Sequence, residues 1–203
     1  MKLYYTPGAC SLVIRILLHE MTANADFEAV DLATKKTETG KDFFAINQKG
    51  AVPTLVLDNE EVLTENAMIQ QYLADHYKAT NLLPPIGDLK RYRVLEWLNY
   101  IATELHKGLS PFFNPHIPKD IKENVFAAAL KNKLTYLSQR LGKQNYLMGD
   151  EFTLPDAYAF YALNSMPVAG IHIKNWPNLV AYFDRIKQRK SVQQAMQEEK
   201  LLS

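Results

Sequence analysis

Met1-Lys2-Leu3-Tyr4-Tyr5-Thr6-Pro7-Gly8-Ala9-Cys10-Ser11-Leu12-Val13-Ile14-Arg15-Ile16-Leu17-Leu18-His19-Glu20-Met21 opens the chain and decides its class. Lys2 to Tyr5 reads as a short strand stopped by Thr6-Pro7-Gly8. Ser11 to Met21 reads as a helix. Leu12, Val13, Ile14, Ile16, Leu17 and Leu18 make it apolar on most faces, so it should be buried. The same alternation of element types continues outward. Phe27 to Asp31 is strand-like, and Thr34 to Gly50 is polar with a helical turn near Asp42 to Ile46. Thr54 to Leu57 and Glu61 to Leu63 form a hairpin around Asp58-Asn59-Glu60, and Glu65 to Tyr77 is helical. Residues 1–80 therefore form an α/β domain.

Residues 81–87 include Pro84, Pro85 and Gly87 and read as a linker. Residues 88–203 then show helical periodicity almost throughout. Asp88 caps a long helix running towards Ser110-Pro111, and Lys119 to Leu141 forms a second. Thr153 caps a third, with Asp156 at the capping-box position and Pro155 in the first turn. A fourth starts at Asn175-Trp176-Pro177 and a short last one at Lys190-Ser191. The fold class is α/β plus all-α.

Composition narrows the function. The chain has 203 residues, 47% of them hydrophobic, and a formal charge of +1 spread along its length. A nucleic acid or an anionic membrane is not the expected partner. Pro7-Gly8 interrupts any signal-peptide core, and no run approaches a membrane span, so a cytoplasmic protein is expected. Cys10 is the only cysteine, which excludes an internal disulfide and argues against a structural zinc site.

Four features can carry chemistry, and each also has a plain structural explanation. Cys10 stands at the start of the first helix, where unpaired N–H groups favour a thiolate and Ser11 can add a hydrogen bond. The alternative is a buried structural cysteine. Val52-Pro53 leads into a strand, leaving Val52 N–H and C=O free for an extended peptide-like ligand; the alternative is an ordinary loop proline. Glu65-Asn66 opens a helix that can hold a carboxylate on its N–H groups while Glu65 faces an ammonium, or it is simple capping by Thr64 and Asn66. On the long helix, Leu98 centres an apolar stripe with Val94, Leu95, Ile101, Ala102 and Leu105. Asn99, Thr103 and His106 share one flank, with Lys107 just beyond. That flank is a cleft edge or a solvated face. His116 and His172 lack metal-ligand spacing, and Tyr158, Phe160 and Tyr161 read as helical core.

Taken in order, Met1 to Ser11, Val30-Asp31-Leu32 through Lys35-Lys36-Thr37, Lys49-Gly50-Ala51-Val52-Pro53-Thr54-Leu55, Leu63-Thr64-Glu65-Asn66, Leu147-Met148-Gly149-Asp150 and Phe152 to Tyr158 resemble bacterial beta-class glutathione transferases over essentially the whole chain. The resemblance implies a thioredoxin-like N-terminal domain, an all-helical C-terminal domain forming the electrophile site, and a homodimer. It implies a cis Pro53. It implies that Cys10 lies beside the glutathione sulfur and can form a mixed disulfide with it, and that Val52 pairs with the cysteinyl part. Glu65 and Asn66 would hold the γ-glutamyl head and Lys35 the glycyl end. Asn99, Thr103, Glu104, His106 and Lys107 would come from the helical domain, with His106 nearest the sulfur. The family usually has Ser, sometimes Gly, where this chain has Asn66.

The implied reaction is conjugation of reduced glutathione to hydrophobic electrophiles, with Cys10, Ser11 and His106 at the chemistry. The thiolate is promoted by the helix N-terminus, Ser11 and cationic His106 or Lys107. Glutathione is a co-substrate, and no metal or resident cofactor is expected. The alternatives are a glutathione-dependent thiol–disulfide oxidoreductase working through Cys10 and a non-catalytic binding protein on the same fold.

Overall fold

The computed structural model describes residues 1–202, which divide into two compact units: residues 1–80 with 189–202, and residues 81–188. In the first unit β1 (Lys2–Tyr5) is central. It pairs in parallel with β2 (Asp26–Asp31) and antiparallel with β4 (Thr54–Val56), which continues antiparallel into β5 (Val62–Thr64). A two-residue β3 (Lys36–Thr37) flanks β2, giving the order β3-β2-β1-β4-β5. Two residues are too short for any periodicity, and the sequence reading passed over β3 as part of a polar stretch.

Alternation along β1 fills both faces of this sheet. Leu3 joins Leu55, Ile14 and Leu18 of α1 (Leu12–Glu20), and Ile69 and Leu73 of α2 (Asn66–His76) in one core cluster. Tyr4 joins Val30, Phe43 and Val52 in another. The expected burial of α1 holds: all six apolar residues named for it are at most 1% exposed. The helical turn expected near Asp42 is a 3-10 turn at Phe43–Ala45, started by Asp42 accepting from Phe44 N–H.

The helical unit begins with α3 (Leu89–Tyr100), capped by Asp88 accepting from Lys90 N–H at 2.8 Å. It continues through wider π turns (Ile101–His106) and tight 3-10 turns (Lys107–Phe113), so helical structure passes beyond the expected stop at Pro111. The second expected helix is α4 (Lys119–Ile121), a π segment (Lys122–Ala127) and α5 (Ala128–Leu141). α6 (Leu154–Asn164) starts with the expected box: Thr153 N–H donates to Asp156 Oδ2 at 2.8 Å. Tyr158, Phe160 and Tyr161 on it are buried as read. α7 (Pro177–Lys187) follows.

The last helix, α8 (Lys190–Glu198), departs from the sequence reading, which placed it in the helical domain 88–203. It packs on α1. Arg189 grips Glu20 through Nε at 2.7 Å and Nη2 at 2.8 Å, and Arg15 reaches Glu198 and Glu199 at 3.0 Å each. Order along the chain suggests the nearer helices as neighbours. Only the charges on α1, unusual on an otherwise apolar helix, point to the true partner. No helix among the described residues is long and apolar enough to cross a membrane.

Candidate functional site

Three segments of the α/β unit meet at Cys10. Its Sγ donates to Val52 O at 3.2 Å, and Asn66 Nδ2 donates to the Cys10 carbonyl at 2.7 Å. The loop before α1, the turn before β4 and the start of α2 are thus tied through one residue. Val52-Pro53 is cis. Val52 is 8% exposed, and its N–H makes no hydrogen bond to a described residue. The sequence reading left both Val52 backbone groups free. Its carbonyl instead takes the Cys10 thiol, with a second lone pair remaining.

The sequence reading expected an acidic Cys10 thiol. The structure overturns this. Burial pushes the thiol up to about 11, although the Asn66 amide and the Cys10 and Ser11 backbone donors favour the thiolate. Desolvation outweighs the helix terminus here. The expected role of the Ser11 hydroxyl also fails. It accepts from Thr6 N–H at 3.2 Å and donates to Thr6 O at 3.3 Å, and Ser11 is fully buried, so the side chain locks the loop instead of facing the thiol.

At the start of α2, Met68 and Ile69 N–H return to Glu65 O, while Asn66 and Ala67 N–H have no acceptor among the described residues. Such a terminus holds a carboxylate well. Glu65 itself sits at φ +70, a conformation costing roughly 1–3 kcal/mol for a residue with a side chain. Its exposed carboxylate already meets an ammonium, that of Lys49 at 2.6 Å, with Thr64 Oγ1 also accepting from Lys49. Lys35, at φ +56, donates to Gly50 O at 2.7 Å. Asn66 is buried. Gln70, one turn on, donates to Asn66 Oδ1 at 2.7 Å and fixes which way the Asn66 amide points. Lys49 and Gln70 were missed by the sequence reading. The i,i+4 spacing of two amides could have found Gln70, whereas nothing local marks Lys49.

In the helical unit, His106 Nδ1 lies 2.8 Å from Tyr158 Oη, and its ring meets Tyr158 and Tyr161 edge-on. Burial, then the Lys107 charge, pulls His106 below the ordinary imidazole range. The expectation of a cationic His106 is therefore corrected to a neutral imidazole at pH 7, leaving Lys107 as the exposed cation. Glu104 pairs with Lys133 Nζ at 2.7 Å. Thr103 donates to Asn99 O at 3.0 Å, so its hydroxyl bonds back into its own helix. Asn99 and Thr103 are exposed, and Leu98, Ile101 and Leu105 are buried, as the stripe requires.

A mixed five-stranded sheet with a cis-proline turn beside the start of its first helix, followed by an all-helical unit, defines a thioredoxin-like domain joined to a helical one. The model for the glutathione S-transferase N-terminal domain matches residues 1–75, and that for the C-terminal domain residues 100–190. Glutathione S-transferase GstA of Escherichia coli O157:H7 is 42% identical over 201 residues, covering 99% of this chain and 100% of that protein. Among solved structures, the bacterial beta-class glutathione S-transferase of Sphingomonas chungbukensis is 42% identical with TM-score 0.94, and a sphingomonad glutathione S-transferase complexed with glutathione is 40% identical with TM-score 0.94. Both are covered in full, as is this chain. This chain belongs to the glutathione S-transferase family, on its bacterial beta-class side.

Proposed function

We propose that the chain conjugates reduced glutathione to hydrophobic electrophiles, as a cytoplasmic homodimer needing no metal or resident cofactor. The observation that carries this is the convergence at Cys10 of a free Val52 N–H, the two free first-turn N–H groups of α2 and the Glu65 carboxylate. Together they match an extended peptide with an amino-acid head. The Val52-Pro53 turn takes the cysteinyl backbone, α2 the γ-glutamyl carboxylate, and Glu65 its ammonium. Lys35 serves the glycyl carboxylate. Asn99, Thr103, Glu104, His106 and Lys107 are assigned to glutathione binding from the helical unit, with His106 beside the sulfur.

The ligand's sulfur then competes for the donors that already favour a thiolate at Cys10, namely the Asn66 amide and the Cys10 and Ser11 N–H groups. Each pKa unit of depression corresponds to about 1.4 kcal/mol in favour of the ionised form, and only the thiolate attacks carbon. Neutral His106 is suited to accept the departing proton. Mixed-disulfide chemistry at Cys10 is the weaker reading. A thiol near 11 is ionised in about one molecule in ten thousand at pH 7.

Calorimetry with millimolar reduced glutathione, followed by turnover of a panel of aryl halides and epoxides, tests the proposal. Binding with turnover supports it. Binding without turnover of any electrophile favours a sequestering protein, and absence of binding sinks both.

A further inference from the structure

The loop that presents Cys10 is held from the far end of the chain. Gly8, two residues before Cys10, adopts φ +73 and donates its N–H to Glu199 Oε2 at 2.9 Å. The other carboxylate oxygen accepts from Arg15 Nε at 3.0 Å. The Glu199 side chain is fully buried and Arg15 is 4% exposed. Arg15 lies in α1, and its guanidinium stacks over Phe27 at 3.8 Å and Tyr5 at 4.4 Å, so the carboxylate it grips is fixed in turn. The C-terminal segment closes over the same spot: a β-carbon on Gly8 would stand 3.4 Å from Leu201 Cδ2.

Other bonds of this loop are mostly internal. Ser11 closes on Thr6, and Ala9 N–H returns to Thr6 O at 3.0 Å. Thr6 Oγ1 ties the loop's entry to Val30 O at 2.7 Å. Ahead of Cys10, whose own carbonyl is held by Asn66 Nδ2 at 2.7 Å, the Gly8–Glu199 bond is the hydrogen bond that ties residues 7–9 to another segment. A carboxylate placed there, with both oxygens used and a buried cation on one of them, sets the loop's position more firmly than neutral bonds do.

We infer that Glu199 is a positioning residue for Cys10, joining the loop before α1 to the C-terminal turn so that the thiol stays against Val52. Its consequence for turnover rests on the function proposed above, but the position of Cys10 does not.

Alkylation by iodoacetamide gives the test, because Cys10 is the sole thiol in the chain and no glutathione is needed. Loss of a charge-assisted hydrogen bond raises the population of the open loop about tenfold, so Glu199→Ala should speed alkylation about tenfold at pH 8. Glu199→Gln keeps one acceptor oxygen but sets its amide N–H against one of the two donors, Gly8 N–H and Arg15 Nε–H, so its alkylation rate should rise above the parent's towards that of Glu199→Ala. Glu20→Gln loosens the same α1–α8 pair through Arg189 and Ser191 without touching Gly8; it should lower Tm and leave alkylation unchanged. The inference is overturned if Glu199→Ala alkylates like the parent, or if Glu20→Gln accelerates alkylation equally. Should Glu199→Ala not fold, residue-resolved hydrogen exchange on the unaltered protein decides. A protected Gly8 amide supports the bond, and exchange at the rate of an unstructured peptide overturns it.

Discussion

Cys10 and Asn66 show how single residues set the chemistry. The Cys10 thiol, raised from 9.0 to about 11, holds its proton more tightly folded than unfolded. A raised pKa adds stability that is full below about 9 and lost as pH climbs from there to about 11. Chemical denaturation across pH 8 to 11 should therefore fall more steeply for the parent than for Cys10→Ala. The same variant should keep conjugation kcat/KM within about threefold, because the un-ionised thiol donates only one weak bond, and a glutathione-dependent disulfide reduction assay should lose any signal it had. If conjugation disappears with Cys10, the assignment of nucleophile to the bound tripeptide fails. Asn66 anchors differently. Asn66→Ala strips the donor from Cys10 O and the acceptor from buried Gln70, and should cost about 1–3 kcal/mol in urea unfolding.

Among elements, α6 is the one whose start was plainest in the sequence and whose loss should cost most. Asp156 is fully buried and accepts from Thr153 N–H at 2.8 Å, Leu147 N–H at 2.9 Å and Tyr182 Oη–H at 2.7 Å. Asp156→Ala takes the acceptor from these three donors and from Thr153 Oγ1–H, which lies 3.0 Å from Oδ2, and a loss of about 4 kcal/mol is expected in denaturant unfolding. A loss under about 1 kcal/mol would mean the cap is not the organising contact. Only the Thr153–Asp156 part of this was legible, because capping is a three-residue rule; Leu147 and Tyr182 arrive by tertiary folding. The same distinction runs through the candidate site. Cys10 at a helix start, the Val52-Pro53 turn and Glu65-Asn66 are local patterns and could be read from spacing. The ionisation of Cys10 and His106, the inward turn of Ser11 and the Lys49–Glu65 pair depend on what surrounds each side chain, which spacing does not encode.

At the scale of the whole chain, the division into units crosses sequence order: residues 189–202 complete the α/β unit, not the helical one that precedes them. Val192, Ala195 and Met196 of α8 are buried, and the charges of Glu20, Arg15, Glu198 and Glu199 are mutually satisfied across its contact with α1. Ending the chain at residue 188 would expose the α1 surface under those side chains and leave Arg15, 4% exposed in the intact chain, without either carboxylate. Re-exposing two large side chains alone forfeits roughly 4 kcal/mol, against a total stability of about 5–15 kcal/mol for a typical domain. The truncated chain should therefore lose structure in residues 1–80 first, while α3 to α7, whose core residues Leu98, Leu134, Phe160 and Tyr182 lie outside the removed segment, keep theirs. Limited proteolysis with mass spectrometry reads this directly. Early cuts are expected in residues 1–80 and a protected fragment within 81–188. Equal resistance of both parts would show that α8 is dispensable to the sheet.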